Sequence, residues 1–83
     1  MVKELSMVES AETALHEIGF RLCRVRHYGS LAKIEVSPDA FRMLLREDVR
    51  AEVVQKLKAI GYLHVVMDLE GYIQGSMNRD IPV

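Results

Sequence analysis

Arg24 and Arg26 stand one residue apart in the stretch RVRHYGSLAKIEV, and no acid occurs between Glu17 and Glu35. On a β-strand, side chains two positions apart project from the same face about 7 Å from each other. Two planar guanidinium forks at that spacing suit separate oxygens of a phosphate or pyrophosphate. From the residues alone, the plainer reading is a solvated sheet surface on which these arginines pair with Glu35 and Asp68. Cys23 and His27 share the opposite strand face, but strand rise separates them by about 13 Å, too far for a base to activate a thiol. Cys23 therefore reads as a buried, inert thiol. His16, His27 and His64 show no metal-ligand spacing, and Glu12 lies beside Ala11 on a helix, where a solvent-facing acid is expected. A glycine-rich phosphate loop, a serine elbow and a convincing carboxylate pair are all missing from the sequence.

Eighty-three residues suit one domain spanning 1–83 and leave little room for a deep catalytic cleft. The net charge of −1 offers no global attraction to nucleic acid or to acidic membranes, so any anion must be held by a local cluster. Aromatic residues make up 6%, too few for a base-stacking platform, and nucleic acid is not an expected ligand. The apolar runs are shorter than a membrane span and the first residues lack a secretory pattern, so the expected location is cytoplasmic. A single cysteine excludes an internal disulfide.

These residues need elements to position them. Ser6 and Glu9 have capping-box spacing, which predicts a helix from Met7 to Ile18 with Val8, Ala11, Leu15 and Ile18 on its apolar face and Gly19 as its stop. From Phe20 the period falls to two, and a first strand carries Cys23 and Val25 inward and Arg24 and Arg26 outward. Gly29 and Ser30 form a two-residue hairpin into a second strand with Ala32, Ile34 and Val36 inward. Ser37-Pro38-Asp39 opens a short second helix, and Asp48 caps a third with Val49, Val53, Leu57 and Ile60 on its core stripe. Tyr62 to Leu69 reads as a third strand with Leu63, Val65, Met67 and Leu69 inward, and 71–83 as an extended tail. The pattern L-x-x-I-G-aromatic occurs twice, at Leu15–Phe20 and Leu57–Tyr62, marking two equivalent helix-to-strand units. The expected fold is α+β, ordered α-β-β-α-α-β, with an antiparallel sheet in the order 2-1-3 and about three helices on one face. Arg24, Arg26, Lys33, Glu35, His64 and Asp68 would line the other face.

The ordered motifs Ala11-Glu12, Ile18-Gly19-Phe20, Arg24-Val25-Arg26-His27, Leu31-Ala32-Lys33-Ile34-Glu35-Val36, Ile60-Gly61-Tyr62, Asp68-Leu69-Glu70-Gly71-Tyr72 and Gly75-Ser76-Met77-Asn78 carry a resemblance. Together they resemble the C-terminal region of LarE-type ATP-dependent sacrificial sulfur transferases, which serve nickel-pincer nucleotide cofactor biosynthesis. Members of that family begin with a PP-loop pyrophosphatase domain that adenylates the cofactor precursor, then take sulfur from a cysteine and leave dehydroalanine. The ATP loop and the sulfur-donor segment are absent from this sequence, so the resemblance implies no enzyme activity for the chain on its own. Cys23 does not inherit the donor role, because the family's donor lies upstream of the matched region.

The resemblance implies that Arg24 and Arg26 hold substrate or nucleotide phosphate, with Glu12 close by. Lys33 stands where the family more usually has arginine, which keeps the charge and loses the fork. It also implies ATP and the nickel-pincer nucleotide precursor as cofactors of the whole system, with none bound by this chain alone. The implied partners are a PP-loop ATP-pyrophosphatase subunit or domain, a phosphorylated small molecule and further copies in a homo-oligomer. The missing PP-loop domain leaves two expectations, a fragment of a longer protein or a free-standing module working with a separate PP-loop subunit, with Met1 slightly favouring the second. The alternative is a free-standing small-molecule-binding or self-association module without sulfur chemistry.

Overall fold

A computed structural model describes residues 2–73. The first helix, α1 (Val2–Ile18), starts before the expected Ser6 cap. Lys3, Glu4 and Leu5 are good helix formers, and nothing at Ser6 interrupts them. Ala11 and Leu15 are fully buried on the expected stripe, with Ala14 beside them. The hairpin follows as β1 (Cys23–Tyr28) and β2 (Leu31–Val36), paired in antiparallel register from Cys23 opposite Val36 to Tyr28 opposite Leu31. Gly29 takes the positive φ of 58° that opens the turn. A 3-10 turn (Pro38–Ala40) leads into the short α2 (Phe41–Leu44), then α3 (Glu47–Ile60) and β3 (His64–Met67).

The fold is α+β, but its sheet order is β1-β2-β3, not 2-1-3, and β3 runs parallel to β2. Two features produce this. First, the 14 residues of α3, at a rise of about 1.5 Å each, return the chain to the hairpin end of β2. There Leu63 and His64 both donate backbone N–H to Ser30 O, at 2.8 and 3.1 Å. From that point β3 can only run in the same direction as β2. Second, the outer edge of β1, where the 2-1-3 order would seat β3, is met by α1: Glu12 Oε2 accepts the Val25 N–H at 2.9 Å. A side chain closes the β1 backbone edge that a strand would otherwise close.

The expected cap at Asp48 is displaced. Arg46 is the N-cap, with extended backbone angles, and Asp48 lies in the first turn, accepting a 2.9 Å hydrogen bond from Arg46 Nη2. An acid there still complements the positive end of the helix. The stripe of α3 buries Val49, Val53 and Leu57. The third strand is shorter than expected, since Leu63 is 65% and Leu69 81% exposed, and only Val65 and Met67 turn toward the core.

The repeated hexapeptide produces two matching junctions. Gly19 and Gly61 adopt φ of 131° and 132°, and Phe20 N and Tyr62 N donate back to Leu15 O and Leu57 O at 3.0 and 3.3 Å. The left-handed glycine lets the chain reverse over its own last turn and sends the next aromatic inward. Phe20 and Tyr62 are accordingly 2% and 1% exposed. Tyr62 is therefore a core anchor ahead of β3, and not its first residue. The expected tail divides: Tyr72 N bonds Val36 O at 2.7 Å, which ties it beyond the end of β2, whereas residues 74–83 lie outside the described part. Among the described residues no helix is long and apolar enough to cross a membrane.

Candidate anion site on the sheet face

The helices pack against Val25, Ile34 and Val36, so the alternate residues of β1 and β2 face the other way. Register sets Arg24 opposite Glu35 and Arg26 opposite Lys33. Because β2 is the central strand, Lys33 and Glu35 occupy the middle of this face, with Asp68 arriving just past β3, where its N–H bonds Ile34 O at 2.8 Å. The correction to the sheet order thus changes the site. In the order 2-1-3 the arginines would be central; here they lie on the outer strand and the carboxylate is central.

Arg26 Nε donates to Glu35 Oε2 at 3.2 Å, Lys33 Nζ lies 3.7 Å from the same oxygen, and Lys33 Nζ also lies 3.6 Å from Asp68 Oδ2. The chain of charge is partly sheltered, with side-chain exposures of 20% for Arg26, 19% for Lys33, 15% for Asp68 and 0% for Glu35. The Arg26–Glu35 pair is the one expected of the plainer surface reading, but the carboxylate is fully buried instead of solvated. Burial of a charge is unfavourable unless partners match it, and here two cations do so. Glu35 Oε1 has no hydrogen-bond partner among the described residues.

Arg24 is held differently. Its guanidinium carbon sits 5.6 Å from the Tyr72 ring centroid, and it makes no ion pair among the described residues. Lys33 Nζ lies at the same 5.6 Å from the Tyr28 ring. Both contacts fall within cation–π range. Sequence reading missed these tyrosines: strand alternation already places Tyr28 on the arginine face, whereas Tyr72 sits in a segment without a periodic signal.

Of the residues expected together, the structure joins Arg26, Lys33, Glu35 and Asp68 through ion pairs and adds Arg24 by register. His64 is exposed opposite Leu31, at the hairpin end. Glu12 meets the backbone between the two arginines through Val25 N–H and so positions β1. On the core face, His27 Nδ1 lies 2.8 Å from the Tyr62 hydroxyl, and Cys23 Sγ faces Phe20 O at 3.8 Å, so the two do not form a dyad. Burial, with the Glu12 carboxylate adding to it, pushes the Cys23 thiol up to about 11. Concavities elsewhere include a groove between α1 and α3, and an apolar one of about 260 Å³ along β3, lined by Leu44, Leu45, Val53, Val54, Val66 and Met67 with Arg50. Neither includes Arg24 or Arg26.

The site is thus a cation cluster on a small mixed sheet, built around one buried acid. No known family model matches the chain. It is 37% identical over 78 residues to an uncharacterized protein of Synechocystis, covering 94% of this chain and 29% of that protein. It is 32% identical over 74 residues to the pyridinium-3,5-bisthiocarboxylic acid mononucleotide synthase of Lactiplantibacillus plantarum, covering 89% of this chain and 26% of the synthase. The chain therefore spans less than a third of the length of either relative. The second similarity relates this chain to part of that synthase.

Proposed function

We propose that this chain is the counterpart of the C-terminal region of LarE-type sulfur transferases and acts as an accessory module in ATP-dependent sulfur transfer. Its part is to present Arg24 and Arg26 to a phosphate-bearing substrate or nucleotide. The observation that carries this reading is the placement of both arginines on one sheet face, inside the segment similar to the synthase. A mononucleotide carries a phosphate, and paired guanidinium forks are suited to its oxygens. Glu12 serves by fixing the strand between them.

A PP-loop ATP-pyrophosphatase subunit or domain would supply ATP chemistry and the sulfur-donor cysteine, with the nickel-pincer nucleotide precursor as the molecule acted upon. Cys23 is ill placed for sulfur donation, since it packs against the core, and burial with the Glu12 carboxylate nearby pushes its thiol up to about 11, which disfavours the thiolate further. The module would work in the cytoplasm and contribute subunit contacts in a homo-oligomer. Replacing both arginines, Arg24→Ala with Arg26→Ala, is expected to abolish binding of a 5′-mononucleotide while leaving the amide spectrum folded. Undiminished binding would refute the proposal.

A second reading rests on the apolar groove beside β3, where Leu45 and Val66 are 59% and 40% exposed. In that reading the chain is a free-standing small-molecule or self-association module, and ligands or a second copy meet the β3 edge.

A further inference from the structure

We propose that Glu35 is a positioning residue for anion binding, whose buried carboxylate fixes the Arg26 guanidinium and steadies Lys33 so that the face meets a pyrophosphate or phosphomonoester already arranged. This rests on the arginine reading above and adds an acid to it.

Glu35 is the only charged side chain among the buried residues described, and it lies on the central strand between two apolar residues, Ile34 and Val36. A β-branched residue would suit such a strand position, and apolar replacements of buried ion pairs are often neutral or stabilising. Sheet stability therefore does not account for an acid here, still less for one whose Oε1 has no partner among the described residues. Its contacts do account for it. Oε2 receives the Arg26 Nε–H at 3.2 Å, and holding a guanidinium at Nε fixes the plane of the whole fork. The same oxygen lies 3.7 Å from Lys33 Nζ, which Asp68 holds from the other side at 3.6 Å. Glu35 is also the register partner of Arg24. One buried acid thus touches or opposes each cation of the face. Ordering these side chains before the ligand arrives removes much of the entropy loss that binding would otherwise incur.

The test turns on sign. As a negative charge beside an anion site, Glu35 should oppose binding, so Glu35→Gln would tighten it if charge alone mattered. Positioning predicts the reverse. Titration calorimetry with inorganic pyrophosphate at low ionic strength should show Glu35→Gln binding about threefold to tenfold more weakly than the wild type. In an Arg26→Ala background the same replacement should cause no weakening, because its effect passes through Arg26. Equal or tighter binding by Glu35→Gln, or the same weakening without Arg26, overturns the inference while leaving the arginine reading standing. Absence of pyrophosphate binding by the wild-type chain overturns both. Should Glu35→Gln not fold, nitrogen-15 spectra of the wild type decide. They should show a slowly exchanging Arg26 Nε–H that shifts on adding pyrophosphate, and an Nε–H like that of an exposed arginine contradicts the proposal.

Discussion

At the scale of single residues, the same side-chain types take different roles according to the face they occupy. Arg24 and Arg26 are two positions apart on one strand face, yet one rests on an aromatic ring and the other on a buried acid. Cys23, the residue before Arg24, packs against the core, and its thiolate is disfavoured for a physical reason. With a pKa near 11 against an ordinary 9.0, its thiolate fraction at neutral pH is about 100-fold below that of a free thiol. Alkylation by iodoacetamide should accordingly be slow at pH 7 and climb toward pH 11. The linked stability has a definite sign. Below about 9 the thiol is neutral in both folded and unfolded chains, and between 9 and 11 only the unfolded chain loses its proton, so this group costs the fold stability as pH rises. Glu12 gives a second prediction. Glu12→Ala leaves the Val25 N–H without its acceptor and should destabilise the protein by about 1–3 kcal/mol in urea denaturation. A change below a few tenths would mean that the contact is dispensable.

At the scale of elements, the two glycine junctions carry the strongest prediction. An added Cβ at Gly61 would lie 3.3 Å from Met7 Cε, and one at Gly19 3.1 Å from Met43 Cε, both at φ values that side chains avoid. Gly61→Ala should cost about 1–3 kcal/mol, chiefly from the backbone. The methionine tips can move, so steric relief alone would not rescue it. These junctions were legible because a short repeated pattern encodes them locally. The hairpin was legible too, since Gly29 and the alternation on either side fix its register. The start of α1 was not, because Ser6 offers a cap but strong helix formers precede it. Neither was the partner of β3. Period shows that a strand exists, whereas its neighbour depends on where α3 returns the chain and on Glu12 reaching β1.

At the scale of the whole molecule, sequence reading found which face carries the charge but not how that charge is organised. The alternation of Arg24, Arg26, Lys33 and Glu35 was visible. The burial of Glu35 was not, because it follows from β2 being central. The assembly proposed here places the module beside a PP-loop partner, and its central claim is that the arginine face holds phosphate. Chemical-shift mapping with a 5′-mononucleotide tests this most directly. The account predicts perturbations concentrated on Arg24, Arg26, Lys33 and Tyr72 that vanish in the double arginine variant. Perturbations confined to Leu45, Val54 and Val66 along the β3 groove, and unchanged in that variant, would contradict it.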